Sequence, residues 1–569
     1  MSQAAPKRWI APPTLPAEHR HQFPHLHETI VQILYNRGIR GPEQVQAFIA
    51  QEPSLHDPFL LQSMDVAVAR IARAIRGGER IAVYGDFDAD GVTATALLTQ
   101  TLQALGATVA PYIPNRVDEG YGLNTDALDS LAARGAELIV TVDCGIRSAD
   151  EVAHGNRLGL EIIVTDHNSV GPRLPPALAV INPKQPGCPY PFKGLAGVGI
   201  AFKLAQALIA EITPPGHSPQ PLREEDLLDL VAFGTVADIV PLRYENRSLV
   251  LRGLGQLNAP RRKGLKALMA SAGVKTGRVN STAIGFMLGP RINAAGRLES
   301  AMLAYYLLMT PDPDRAERYA ERLSHLNRER QRLTLEATEQ ARTQVLDETG
   351  QVPHLLFATS PGFKAGIVGL VASNLTEEFY RPSVVVEKGD GESRASCRSI
   401  PEFHITRALD TCADLLVRHG GHSMAAGFTV HNEHLPALQE RLQAIARQKL
   451  AETDLIPKLP IDAQLTLGPD LYELYDQLTR LQPFGEANPE PVFVSQRLMV
   501  GQQRAVGEDG PHLRLTVKEG QAWWDAIAFR RGQEAGQLPE WIDLAYNLNM
   551  NEWNDQKRLQ LVVQDWRPA

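Results

Sequence analysis

Three short apolar runs in the first third of the chain each end in an acidic residue, and this limits the fold more than any other feature. Ile81–Tyr84 runs into Gly85-Asp86-Phe87-Asp88-Ala89-Asp90-Gly91, and a helix-like stretch, Val92–Leu105, follows. Leu138–Val142 runs into Asp143-Cys144-Gly145, and Ile162–Thr165 into Asp166-His167. Strands that alternate with helices pair in parallel. An open parallel sheet binds ligands beyond the carboxyl ends of its strands. Acids at three such ends therefore converge on one crevice. A fourth acid, Asp238, closes the apolar run Gly234-Thr235-Val236-Ala237.

The chemistry follows from the residue types. Alternation in an extended loop would put Asp86, Asp88 and Asp90 on one side. Converging carboxylates repel unless a cation joins them. Oxygen ligands suit magnesium or manganese, and a nitrogen ligand from His167 shifts the preference towards manganese. The net charge of −8 argues mildly against a phosphate-rich partner, but part of that charge sits in the acidic motif, where bound cations would offset it.

The rest of the chain divides by pattern. The first 75 residues read as a polar helical segment. The Pro-rich Thr213–Leu222 reads as a surface loop. Asp312–Glu348 contains no Gly or Pro beyond its first turn and is dense in Arg, Glu, Leu and Ala. It reads as one long helix, a solvated connector of about 50 Å at ~1.5 Å per residue. A second β/α segment, Leu355–Gln448, follows, and Pro457 and Pro460 mark a linker. In His512–Lys518, Leu513, Leu515 and Val517 alternate with His512, Arg514, Thr516 and Lys518, and Leu559, Leu561 and Val563 repeat the period. Such half-buried strands in a short module fit a small barrel, with an OB-fold as the leading candidate. The domains expected are 1–75 (helical), 76–311 (metal-binding), 312–350 (connector), 351–455 (second α/β) and 456–569 (barrel). Cys144, Cys188, Cys397 and Cys412 are scattered without CxxC spacing and read as reduced thiols. No apolar run reaches the ~18–20 residues of a membrane span, and Met1–Leu15 has no signal-like apolar core, so a cytoplasmic protein is expected.

GDFDADG, VDCG, TDH and GTVADIVPL, in this order, resemble the four metal motifs of DHH phosphoesterases. Gly289-Pro290-Arg291-Ile292-Asn293-Ala294-Ala295-Gly296-Arg297-Leu298 is similar to the signature of the RecJ branch. Gly420-Gly421-His422-Ser423-Met424-Ala425-Ala426-Gly427 is similar to the glycine-rich motif of the DHH-associated domain. Pro483-Phe484-Gly485, Asn488-Pro489 and the final strands resemble that branch's OB domain. The resemblance covers residues 76–569. It implies an α/β fold with a parallel-sheet metal domain, a connector helix, an associated domain and a C-terminal barrel. It implies an exonuclease that degrades single-stranded DNA from the 5′ end to mononucleotides in repair and recombination, with single-strand-binding protein and a helicase as partners.

The resemblance also implies roles. Asp86, Asp88 and Asp143 would hold one divalent ion, and Asp90, Asp143, His167 and Asp238 the other, with Asp143 bridging. Asp166 would orient a neighbour. Arg297 would meet the scissile phosphate, and its planar fork suits phosphate oxygens. Asn115, Arg116, Ser396 and Arg398 fall where the family places a 5′-phosphate pocket, and Arg291 and His422 would also touch substrate. One departure stands out. The family's name comes from Asp-His-His, and this chain reads Asp166-His167-Asn168. An Asn carries no titrating proton, so metal binding should survive while turnover slows. The competing readings are a phosphodiesterase for short oligonucleotides or cyclic dinucleotides, a small-molecule phosphatase, and a single-strand-binding protein that does not cleave. The barrel favours a polymer substrate.

Overall fold

The computed structural model describes residues 7–51, 55–116, 119–120, 122–212, 222–346, 350–553 and 556–569. The chain forms two compact units. One comprises Pro53–Leu455 with Gly485–Ala487, and the other Met1–Glu52, Ile456–Phe484 and Asn488–Ala569.

The larger unit holds a five-stranded parallel sheet. Its order is Thr108–Tyr112, Arg80–Gly85, Leu138–Val142, Glu161–Thr165, Ala179–Ile181. Every residue of Leu138–Val142 is buried. Near-continuous apolar strands are the signature of a parallel sheet covered on both faces. Burying each Val or Ile here contributes about 1.5–3 kcal/mol. The helices Met64–Gly77, Ala89–Ala104, Gly197–Ile212 and Leu228–Ala237 pack into the main core with it. The outer strands do not stand out in the sequence, because Ala179–Ile181 has only three residues and Thr108–Tyr112 is partly exposed and contains Pro111.

The expected connector helix runs Pro313–Val345, 33 residues, capped by Asp312, whose Oδ1 accepts from the Asp314 and Arg315 amides. The end of the expected span, 347–348, lies outside the described residues. The helix is not a solvated rod. Ala316, Ala320 and Leu323 enter the metal-domain core, while Ala337, Ala341 and Val345 enter a core under the second sheet. Its charges pair on the outer face instead, as Arg332 does with Glu329 and Glu336. The second sheet has the order Leu416–Gly421, Ala425–His431, Glu392–Arg398, Ser383–Lys388, Leu356–Ser360. The expected Pro-rich loop falls on 213–221, outside the described residues.

In the smaller unit, five strands close into a barrel of order 1-2-3-5-4-1: Phe493–Val506, His512–Glu519, Ala522–Ala528, Gln556–Pro568 and Trp541–Trp553, the last returning to the first. The period-two reading holds. Leu513, Leu515, Val517, Leu559, Leu561 and Val563 line the core. The N-terminal segment is helical as expected over Ala17–His21, Glu28–Asn36 and Pro42–Ala50, but it is neither wholly helical nor separate. Arg8–Ile10 is a strand paired in parallel with Lys458–Pro460, where a linker was read, and Ile30, Ile33 and Leu34 join the barrel's core. Met64–Gly77 belongs to the metal domain instead. A strand whose partner lies some 450 residues away leaves no local signature. Among the described residues, no helix is long and apolar enough to cross a membrane.

Candidate metal centre and phosphate cavity

The acidic motif folds differently from the expected extended loop. Asp86 follows directly on its strand, Asp88 caps the next helix, and Asp90 lies in that helix's first turn. Asp88 Oδ1 accepts from the Asp90 and Gly91 amides at 3.0 and 3.1 Å. Gly91 permits this tight start, since a Cβ there would lie 2.5 Å from the Asp86 carbonyl oxygen. Asp90 in turn accepts the Gly197 and Val198 amides at 2.6 and 2.8 Å, at the start of Gly197–Ile212. A helix N-terminus favours a carboxylate in that position.

The carboxylates converge in two groups that share one member. Ligand atoms of Asp86, Asp88 and Asp143 lie within 4.8 Å of one another, and so do those of Asp90, Asp143 and His167. Asp143 is held at φ +62°, a left-handed backbone uncommon outside glycine. His167 Nε2 lies 3.1 Å from Asp143 Oδ1, 3.5 Å from Asp238 Oδ2 and 3.9 Å from Asp90 Oδ2. Asp238 caps the carboxyl end of Leu228–Ala237, where the helix dipole disfavours negative charge. Burial, then mutual repulsion, pushes Asp86, Asp143 and Asp238 well above the usual carboxylate range and Asp90 up to about 7. Burial pushes His167 down, which leaves the neutral ring a metal requires. Asp86 Oδ1 and Asp238 Oδ2 are buried with no hydrogen bond among the described residues. Orphaned buried oxygens, repelling acids and a neutral imidazole fit divalent cations.

Asp166 is buried and organises its neighbours. Its Oδ2 accepts the Ile146 amide at 2.9 Å, and its Oδ1 accepts both the Asn168 amide and Asn168 Nδ2 at 2.9 Å. The Asn168 side chain is thus turned onto Asp166, and the Asn168 carbonyl accepts from Asn182 Nδ2.

Alongside the carboxylates opens a cavity of about 560 Å³ lined by Phe87, Arg116, Arg297, Ser396 and Arg398, among others. Arg116 stacks over Phe87, 4.7 Å from the ring centre, and feels the charges of Asp86 and Asp88. Arg297 Nη1 donates to the Gly366 carbonyl at 2.9 Å. Gly366 allows this approach, as its Cβ would lie 2.2 Å from the Arg297 carbonyl oxygen. Burial, then the guanidiniums of Arg116, Arg330 and Arg398, pushes Arg297 down to about 9. A guanidinium resists losing its proton, so this crowding creates demand for an anion. Arg398 is pushed down by burial too, while its Nη1 donates to Ser396 Oγ at 3.2 Å.

Three expected substrate residues are not among those lining this cavity. Arg291 donates to Ser324 Oγ at 3.0 Å and to the Met287 carbonyl, a structural tie between two helices. His422 is exposed at a hairpin tip, its amide bonded to the Ala425 carbonyl, and its side chain does not line the cavity. The Asn115 backbone forms a turn with Glu119. Other contributors went unread. Lys184 feels the charges of Asp166 and Asp238. Arg330, on the long helix, is pushed down by burial and presses on Arg297. Nothing in their local sequence marks either one. Asn293 Oδ1 accepts the Ala89 amide at 2.7 Å, and its place beside Arg297 in the signature could have flagged it.

Family models match three segments: the DHH family N-terminal domain at 80–235, the DHHA1 domain at 353–448 and the RecJ OB domain at 461–565. The single-stranded-DNA-specific exonuclease RecJ of Salmonella typhimurium is 38% identical over 554 residues, covering 94% of each chain. The chain belongs to the RecJ family. The Bacillus subtilis RecJ is 39% identical over 95% of this chain and 68% of that protein. Among solved structures, RecJ from Thermus thermophilus in complex with Mn²⁺ superposes with a TM-score of 0.84 at 31% identity, covering 99% of this chain and 80% of that one. The same RecJ has also been solved with Mg²⁺. A RecJ-family chain with divalent-metal dependence accounts for the buried acids better than any structural role.

Proposed function

We propose that this chain is a metal-dependent exonuclease that hydrolyses single-stranded DNA from its 5′ end to mononucleotides. The observation that carries this reading is Asp143, whose carboxylate belongs to both acidic groups; Phe87, between Asp86 and Asp88 in the chain, lines the neighbouring arginine-walled cavity. In this reading Asp86, Asp88 and Asp143 hold one ion, and Asp90, Asp143, His167 and Asp238 the other, with manganese preferred. Two such ions supply charge that activates a water and stabilises the leaving oxygen. The protein supplies the rest. Arg297 holds the scissile phosphate, and Arg116, Ser396 and Arg398 hold the terminal 5′-phosphate. Together they fix the strand one nucleotide in from its end. Asp166 keeps the His167–Asn168 loop in place. The barrel offers a groove on which bases can stack.

A phosphodiesterase for very short substrates, a small-molecule phosphatase or a non-cleaving binder is less well supported, because none accounts for the RecJ OB domain together with the metal cluster. A cytoplasmic setting, with single-strand-binding protein and a helicase delivering the strand, belongs to the same reading. The test compares 5′-phosphorylated and 5′-hydroxyl single strands with manganese present. Nucleotides should leave from the 5′ end, and Arg398→Ala should slow the phosphorylated strand about tenfold or more without slowing the hydroxyl strand. Release from the 3′ end, or an equal effect on both strands, contradicts the reading.

A further inference from the structure

The strand Glu392–Arg398 turns Cys397 into the core, so Arg394, Ser396 and Arg398 share the opposite, cavity-facing side. Across the sheet, Arg394 stands opposite Thr429 and Thr429 opposite Arg418, while Ser396 stands opposite Gly427 and Gly427 opposite Gly420. The cavity therefore has two cationic ends. Arg398, with Arg116 and Arg297, forms the inner one, and Arg394 with Arg418 the outer one. Arg394 and Arg398 are four residues apart, about 13 Å at ~3.3 Å per residue. A terminal phosphate uses only the inner end.

The outer end is unspent. Arg394 is exposed and makes no hydrogen bond or ion pair among the described residues, although Glu387 faces it on the next strand. Among the described residues Arg418 commits only its Nε, to Thr429 Oγ1 at 3.2 Å. The floor between the ends is Ser396, Gly427 and Gly420. Gly420 lacks a positive φ, and nothing lies within 4 Å of where its Cβ would be. Neither backbone nor packing requires glycine there, whereas a ligand lying across the sheet does. That ligand is anionic, because the side chains flanking this floor at the outer end are the guanidiniums of Arg394 and Arg418.

We propose that Arg394 and Arg418 form a second anion site that takes the outer phosphates of a 5′-triphosphate end, so that triphosphorylated single strands are substrates. The proposal rests on the inner end being the 5′-phosphate pocket. In the reaction, water attacks the phosphorus joining the first two nucleotides and the P–O3′ bond breaks. The leaving O3′ takes up a proton, and a nucleoside 5′-triphosphate departs. The shortened strand keeps a 5′-monophosphate and needs only the inner end from then on.

The test uses the full chain and two strands of one sequence, ending in a 5′-mono- or 5′-triphosphate. Cleavage is followed with manganese, and equilibrium binding with calcium in its place. The triphosphate strand should bind about tenfold tighter or more and release a nucleoside triphosphate first. Arg394→Ala with Arg418→Ala should erase that advantage and leave the monophosphate strand within about twofold. The corresponding double Gln variant, which keeps the side-chain stems, serves if the alanine protein does not fold. The proposal is overturned if the triphosphate strand binds no tighter, if it loses its tail before cleavage, or if the variant weakens both strands equally or neither. If the monophosphate strand is not cleaved by the wild type, the exonuclease reading fails, and the binding comparison still decides the second site.

Discussion

Replacing Asn168 with histidine should accelerate single-turnover cleavage by about 10²-fold or more. The geometry explains why. Asn168 Nδ2 donates to Asp166 Oδ1 at 2.9 Å, and Asp166 is itself fixed by the Ile146 amide. The Nδ1 of a histidine branches from Cγ as Asn Nδ2 does, so the imidazole can keep this bond and direct Nε2 away from Asp166. A neighbouring carboxylate stabilises the imidazolium and raises its pKa. The charged ring could then give a proton to the leaving 3′ oxygen, which Asn cannot do. General acid help of 10²–10⁴-fold corresponds to about 3–5 kcal/mol of barrier. The sign of the pH dependence follows. The proton-donating form exists below the imidazole pKa and is lost above it, so the Asn168→His rate should fall as pH rises through that value, and the wild type should lack this limb. Quench-flow measurement with saturating manganese reads both. Equal rates for the two proteins, or a gain without the new limb, would refute the reasoning.

Two further outcomes follow from the same geometry. Gly197→Ala would place a Cβ 2.5 Å from the Asp143 carboxylate, so manganese affinity measured by calorimetry should fall about 10–100-fold; unchanged affinity would mean the carboxylate is free to move. Asp90 is pushed up to about 7 and Asp86, Asp143 and Asp238 are also pushed up. The folded, metal-free protein therefore binds more protons than the unfolded chain. With chelator present, its melting temperature should fall as pH rises from the ordinary carboxylate range through about 7, and manganese should abolish that fall; a chelated protein that gains stability over this window would count against the cluster.

The strand ends were legible because apolar runs followed by acids report topology and chemistry together. Leu138–Val142 and the acid after it stand as read, and the barrel's alternation survives residue by residue. The shape of the acidic motif was not legible. Alternation suggested an extended loop, whereas Gly91 lets a helix start against the strand end, and Asp90 gains two amide donors from a helix some hundred residues on. The long helix starts next to the expected Asp312 and ends at Val345, short of the expected Glu348, and its small buried residues, Ala316, Ala320, Ala337 and Ala341, were hidden among charges. Arg330 and Lys184 reach the site only through tertiary packing. Arg291 and His422, inside recognisable motifs, also have contacts that the motifs do not report: Arg291 donates to Ser324 on the long helix, and the His422 amide closes a hairpin turn.

Counting manganese ions by isothermal titration of the wild type and of Asp143→Ala tests the shared carboxylate most directly. The geometry predicts two ions per wild-type chain, neither position filled normally in the variant, and no 5′-end degradation by it. A variant that still binds one ion with wild-type affinity, or still degrades single-stranded DNA, would contradict the bridging role of Asp143 on which the mechanism depends.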